Sequence, residues 1–293
     1  MSIRKILVPT DFSPNSYLAV EAANALATRF GAEITLFYVE ATHDYLVLDI
    51  GSTGAREERE FEMHHFDEAK ELVSSDVECH TMVDKGTPYE AILAAAESRH
   101  ADLIVIATHA HSGIQRFLLG STTEKVVRGA KCPVLLVHPD PDRSPARMLV
   151  DLEKIVVPTD LSDTAKAALP VAAEIAKSCD AELLLTHVIE PLTGLGFGTG
   201  AEQVYALQRG LQEATSEGLT KFRSEVPDGV KSEVVVLEGT AHDELAGLVD
   251  REKAGLIVMA THGHTGVTRW LLGSVTDRVS RTATCPLLIV PPS

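Results

Sequence analysis

Ala260-Thr261-His262-Gly263-His264-Thr265-Gly266-Val267-Thr268-Arg269-Trp270-Leu271-Leu272-Gly273-Ser274 follows the apolar run Leu256-Ile257-Val258-Met259 and leads into a polar segment. The arrangement occurs a second time, as Ala107-Thr108-His109-Ala110-His111-Ser112-Gly113-Ile114-Gln115-Arg116-Phe117-Leu118-Leu119-Gly120-Ser121 behind Leu103-Ile104-Val105-Ile106. Short continuous apolar runs of this kind predict strands buried on both faces of a parallel sheet. Ser121 with Glu124, and Ser274 with Asp277, have the spacing of a capping box, which predicts helices running from Thr122 and Val275. The first amides of such helices, together with the positive end of the helix dipole, suit a phosphate. Glycine at 120 and 273 lets a ligand oxygen approach the backbone without meeting a β-carbon.

Working outward, the rest of the chain also repeats. Lys5-Ile6-Leu7-Val8-Pro9-Thr10-Asp11-Phe12-Ser13 returns as Lys154-Ile155-Val156-Val157-Pro158-Thr159-Asp160-Leu161-Ser162, Gly86-Thr87 as Gly239-Thr240, and Cys132-Pro133 as Cys285-Pro286. A period this long marks a duplicated domain rather than a solenoid. In the first half strands are predicted over Ile3 to Pro9, Ile34 to Val39, Val77 to Val83, Leu103 to Ile106 and Pro133 to Val137. Helices are predicted over Ser13 to Phe30, Ala55 to Ser74 and Pro88 to Ser98 between them. Strands alternating with helix-length segments imply two α/β, Rossmann-like domains, each a five-stranded parallel sheet with helices on both faces. The expected domains are 1–138 and 152–293. The polar, proline-rich stretch Pro139-Asp140-Pro141-Asp142-Arg143-Ser144-Pro145 lies within a linker at 139–151.

Composition narrows the function classes. The 293 residues are 45% hydrophobic, enough for a core in each half. A net charge of −16 disfavours nucleic acid and anionic membranes, which attract clustered Lys and Arg. The four cysteines, at 79, 132, 179 and 285, have no metal-ligand spacing and suit structural thiols in a reducing compartment. The apolar stretch after Arg4 and Lys5 stops at Pro9, too short for a secretory signal, so a cytoplasmic protein is expected.

Ligands of open parallel sheets bind beyond the carboxyl ends of the strands, where strand order reverses. The first strand of each half delivers Pro9-Thr10-Asp11 or Pro158-Thr159-Asp160 there, the second delivers Val39 or Val188, and the fourth delivers the glycine loop. A carboxylate near a phosphate site suggests a nucleotide, its base or ribose at the Asp and its phosphates on the loop. Asp11 and Asp160 also suit a plainer role, starting the turn into the following helix. The pairs His109/His111 and His262/His264 lack the further ligands that zinc requires, so no metal centre is expected. Gly194-Leu195-Gly196-Phe197-Gly198-Thr199-Gly200 misses the dinucleotide spacing and is expected to be a loop over the second pocket.

Both halves resemble universal stress proteins in tandem form: the Val-Pro-Thr-Asp start, the Thr-His loop, the Leu-Leu-Gly-Ser turn and the Cys-Pro-x-Leu-x-Val end all coincide. The nucleotide-binding branch of that family carries Gly, two residues, Gly, nine residues, then Gly-Ser or Gly-Thr. The second half departs from it only at Ala260, whereas in the first half Ala107 and Ala110 replace both early glycines. The resemblance implies an ATP or AMP site in which Asp160 and Val188, with Pro158 and Thr159 in the same turn, hold the adenine and ribose end beside Met259 and Ala260. His262, Gly263, Gly273, Ser274, Val275 and Thr276 would take the phosphates. The matching first-half positions are Pro9, Thr10, Asp11, Val39, Ile106, Ala107, His109, Ala110, Gly120, Ser121, Thr122 and Thr123. If the loop needs a positive φ at Gly263, alanine at 110 costs on the order of 1 kcal/mol, so the second site is expected to be the tighter.

The function expected is therefore an adenine-nucleotide-binding stress or signalling protein with an unknown downstream protein partner. No nucleophile–base pair, Walker lysine motif or other catalytic set is legible, and slow hydrolysis or autophosphorylation would need Mg²⁺ held largely by the ATP phosphates. The rival readings are a nucleotide-free interaction scaffold and a slow ATPase. The apolar last strands, Val134 to Val137 and Leu287 to Val290, are expected to be covered by pairing, either as an intramolecular pseudo-dimer or in a homodimer.

Overall fold

The computed structural model describes residues 3–41, 54–108, 119–140, 142–190, 201–261 and 272–292. They form two compact units, 2–151 and 152–293. The first contains strands β1 (Lys5–Thr10), β2 (Glu33–Ala41), β3 (Cys79–Gly86), β4 (Leu103–Ala107) and β5 (Val134–Val137). Its helices are α1 (Pro14–Phe30), α2 (Gly54–Glu71), α3 (Pro88–Ser98), α4 (Ser121–Gly129) and α5 (Pro145–Val150). All strand pairs are parallel, in the order β3-β2-β1-β4-β5.

The second unit repeats this plan with β6 (Lys154–Pro158), β7 (Glu182–Ile189), β8 (Ser232–Glu238), β9 (Leu256–Ala260) and β10 (Leu287–Val290), in the order β8-β7-β6-β9-β10. A 3-10 turn at Ala165–Ala167 precedes α6 (Ala168–Cys179); α7 (Ala201–Ser224), α8 (Ala241–Glu252) and α9 (Ser274–Thr282) follow. Pro170 sits in the first turn of α6, where its missing N–H has no intrahelical partner to lose. The duplicated parallel α/β architecture is the one expected.

The apolar runs behave as a doubly covered sheet requires. Every residue of β4, β5, β9 and β10 is buried. Helix α1 packs against β1 and β4, and α3 against β2 and β3. Ser13 caps α1 by accepting from the Ser16 amide, and Gly31 closes it at φ 63.

One detail of register positions the site. β1 pairs with β2 along its whole length, but with β4 only at Ile6↔Leu103 and Leu7↔Ile104. β6 likewise meets β9 only at Ile155↔Leu256 and Val156↔Ile257. Beyond those rungs the central strands part, and a crevice opens at their carboxyl ends where the strand order reverses.

The segment 139–151, expected to be an exposed linker, is not extended throughout. Ser144 accepts from the Arg147 amide and starts α5, which packs against α1 with Leu149 buried, while Arg29 donates to the Val150 carbonyl at 3.0 Å. Pro145 and Leu149 are the buried residues of this helix and supply its packing face, whereas Val150 is exposed. Among the described residues, no helix is long and apolar enough to cross a membrane.

Two predictions come from this framework. Asp180 ends α6 at φ 54 where the duplicate has Gly31, and Lys253 ends α8 at φ 52 where the duplicate has His100 at φ 53. Lys253→Gly removes the β-carbon penalty and is expected to raise the stability of the second unit by roughly 0.5–1 kcal/mol in urea unfolding. Burial pushes the Cys132 thiol up to about 11 and also raises Cys79, and Cys285 is buried. Iodoacetamide at pH 8 is expected to spare Cys132 and Cys285 in the folded protein and to label both in urea, read by peptide mass spectrometry.

Candidate functional site

The turn leaving β6 is built by its own side chains. The Leu161 amide donates to Thr159 Oγ1 at 3.0 Å, and the Ser162 amide donates to Asp160 Oδ1 at 3.0 Å. Ser162 Oγ also donates to Asp160 Oδ1 and accepts from the Ala165 amide at 3.1 Å, which starts the 3-10 turn. The first unit repeats the pattern: Phe12 N donates to Thr10 Oγ1 and Ser13 N to Asp11 Oδ1, both at 3.0 Å. The plainer role for Asp11 and Asp160, setting the turn, is thus real for both. These bonds hold Phe12 and Leu161 at φ 59 and 65, a left-handed conformation uncommon for bulky residues and typical of constrained sites. The sequence carries no signal for it.

The other wall comes from β9 and α9. Thr276 Oγ1 donates to the Ala260 carbonyl at 3.1 Å, and the Gly273 amide donates to the Thr261 carbonyl at 2.9 Å. Strand end and helix start are thereby pinned together across the 262–271 segment. The equivalent tie in the first unit runs from Thr123 Oγ1 to the Ala107 carbonyl at 3.4 Å.

The capping-box expectation is corrected here. Gly120 and Gly273 are the caps, the helices begin at Ser121 and Ser274, and no side chain among the described residues caps either one. Glu124 and Asp277 turn instead to Arg128 at 2.7 Å and Arg281 at 3.0 Å, one turn further along. An i,i+4 ion pair with Arg competes with reaching back to the cap, and a glycine cap offers no side chain to reciprocate. The outcome favours anion binding, because among the described residues no side chain caps the amides of Ser274, Val275 and Thr276. Gly273 itself has φ −59, open to any residue, so close approach rather than dihedral freedom is what glycine offers there.

In the second unit these walls enclose a cavity of about 330 Å³. Pro158, Thr159, Asp160 and Val188 line it from β6 and β7, and Met259, Ala260, Gly273, Ser274, Val275 and Thr276 from β9 and α9. The expected residues His262 and Gly263 lie outside the described residues, as do the Gly194–Gly200 loop and His264. The cavity adds residues that sequence reasoning missed: Ala165, Thr186, His187, Glu190, Ala241 and Leu245. A sequence signal exists for His187 and Glu190, polar residues at and just after the carboxyl end of β7. His187 Nδ1 lies 2.8 Å from the Thr159 carbonyl oxygen, tying β7 to the Asp160 turn.

In the first unit Pro9 and Thr10 end β1, with Asp11 after them; Val39 lies in β2, Ile106 and Ala107 end β4, Gly120 caps α4, and Ser121, Thr122 and Thr123 form its first turn. His109 and Ala110 lie outside the described residues. Beside Asp11 stands an aromatic group: Phe12 stacks on Tyr38 at 4.8 Å and on His65 at 5.2 Å, with Phe66 edge-on at 5.1 Å. At the amino ends of β2 and β3, Glu33, Glu78 and His80 cluster at the surface. Lys5 lies 3.7 Å from Glu33 and already offsets its charge, which marks a surface ion-pair group.

Comparison with known proteins accords with this geometry. The model of the Universal stress protein family matches residues 2–138 and again 152–291. The chain is 40% identical over 141 residues to Universal stress protein MJ0531 of Methanocaldococcus jannaschii, covering 47% of this chain and 81% of that one. It is 28% identical over 308 residues to a universal stress protein of Mycolicibacterium smegmatis, covering 98% of this chain and 97% of the relative. A crystal structure of a universal stress protein from Archaeoglobus fulgidus shares the fold, with a TM-score of 0.70 at 22% identity over 100% of this chain and 97% of that one. With its fold written twice and its family matched twice, the chain belongs to the universal stress protein family, in tandem form.

Proposed function

We propose that the second unit binds an adenine nucleotide, ATP or AMP, and that the chain acts as a nucleotide-responsive stress or signalling protein. The observation that carries this is the meeting, in one cavity, of the Asp160 turn and a helix N-terminus without a side-chain cap. Main-chain amides at a helix start donate to phosphate oxygens, and a carboxylate accepts hydrogen bonds from ribose hydroxyls or a base amino group. The volume falls in the range of roughly 300–1,000 Å³ usual for small-molecule sites. With ATP, Mg²⁺ held largely by the phosphates would offset part of their charge.

The first unit binds more weakly. Its loop has alanine at 110 where the second half has Gly263, and the Phe12, Tyr38, His65 and Phe66 rings crowd the Asp11 turn where the second unit has Leu161 and His187. The aromatic group favours an interaction or scaffold role for that half.

Calorimetric titration of the full chain with ATP and AMP tests both points. Asp160→Ala is expected to weaken binding at least about tenfold, roughly 1.4 kcal/mol, and Asp11→Ala less than about twofold. Equal losses from the two substitutions would sink the ranking of the sites. Absence of binding to the unsubstituted chain, with no nucleotide recovered from denatured protein by mass spectrometry, would sink the nucleotide reading itself.

A further inference from the structure

β6 and β7 keep their ladder as far as Pro158↔Thr186, and the Thr159 amide adds a last rung to the Thr186 carbonyl at 2.8 Å. Beyond that rung the backbone of β6 turns out of the sheet through Asp160 and the left-handed Leu161. A side chain takes over where the ladder stops: His187 Nδ1 meets the Thr159 carbonyl oxygen at 2.8 Å. A carbonyl oxygen only accepts, so the proton resides on Nδ1 whether the ring is neutral or charged. Thr159 is then held at three points: its amide by main chain, its hydroxyl oxygen by the Leu161 amide, and its carbonyl by His187. Asp160 follows directly and lines the same cavity as His187.

The duplicate shows the alternative. Tyr38 holds the matching register position, opposite Thr10, and its ring stacks on Phe12. A phenol carries its polar group at the tip of the ring, too far out to copy a donor at Nδ1.

We infer that His187 is a positioning residue for nucleotide recognition, its Nδ1–H fixing the Thr159 carbonyl and thereby holding the Asp160 carboxylate at the cavity. The inference rests on the nucleotide reading above and deepens it. The donor sits next to the ring's first carbon, a position that Asn reproduces with its amide nitrogen. Gln places its amide near Nε2 instead, and Leu has no donor.

Titration of the full chain with AMP and ATP therefore separates the variants. His187→Asn is expected within about threefold of the unsubstituted affinity, with His187→Gln and His187→Leu weaker by on the order of tenfold. In an Asp160→Ala background, His187→Leu is expected to cause little further loss, because the histidine acts through that carboxylate. Unchanged binding by His187→Leu overturns the inference. So does a full additional loss in the Asp160→Ala background, or retention by Gln with loss by Asn, either of which would put the ring against the ligand directly. Thermal unfolding of each variant confirms that the folded states are being compared.

A second readout needs no nucleotide. In ¹⁵N-histidine spectra of the ligand-free chain, His187 is expected to carry a slowly exchanging Nδ1 proton, and the Leu161 and Ser162 amides are expected to exchange faster in His187→Leu than in His187→Asn. An Nε2–H tautomer refutes the clamp whatever binds. The Nδ1–H signature in a chain that binds no nucleotide refutes the functional reading and leaves the clamp as a purely structural tie.

Discussion

Parallel pairing between the two central strands of each unit governs everything built on it. Because all five strands run the same way, their carboxyl ends collect on one edge of the sheet, and each chain segment must leave that edge to return through a helix. β6 and β9 sit side by side yet share only the rungs at Ile155 and Val156 before they separate. Past that point their main chains no longer satisfy one another, and local side chains take on the work: Thr159, Asp160 and Ser162 on one wall, Thr276 on the other. The cavity is what two diverging strands leave between them. Its chemistry follows from which residues the turns place there.

The sequence made the scaffold plain, because both signals behind it are periodic. Repetition showed the duplication, and the apolar runs at 103–106 and 256–259 showed which strands would be buried. Ten of the expected second-unit positions line one cavity for the same reason, since topology alone directs strand ends and the α9 start to that edge. Illegible were the features in which two local rules compete. Ser274 and Asp277 satisfy the spacing of a capping box, but glycine before the serine and arginine four residues after the acid draw the cap and the acid elsewhere. The left-handed Leu161 is invisible because its own side chain argues against it; the Thr159 and Asp160 side-chain oxygens before it, accepting from the Leu161 and Ser162 amides, make it tenable. The α5 helix was hidden by prolines, although one of them stands at its first position, where a helix accepts it.

Duplication turns the molecule into its own control. The two units share register, turn chemistry and the left-handed residue after the aspartate, so what differs between them is informative. The differences gather around one point, the contact of the β1 or β6 turn with the second strand and with what packs over it. In the first unit Phe12 joins Tyr38, His65 and Phe66 in a ring cluster, and His65 is hydrogen-bonded to Glu68, which also accepts from Tyr17. That network ties α2 to α1 and to the strand ends. In the second unit the residue after the aspartate is Leu161, lying against Gly218 of α7, and the strand position is His187, lining the cavity.

An aromatic cluster and an open cavity are alternative answers to the same physical problem, a gap at the carboxyl ends of parting strands beside apolar surface. Rings fill such a gap by burying area and by edge and stacking contacts, independently of any ligand. A histidine with one nitrogen bound to main chain braces the gap without filling it, and so leaves room for a partner molecule. The first solution stabilises the fold directly; the second keeps the Asp160 turn in place beside a cavity. Duplication permits both in one chain, because each half keeps the same parallel scaffold while the same strand position is a tyrosine stacked on Phe12 in one and a histidine bound to main chain in the other.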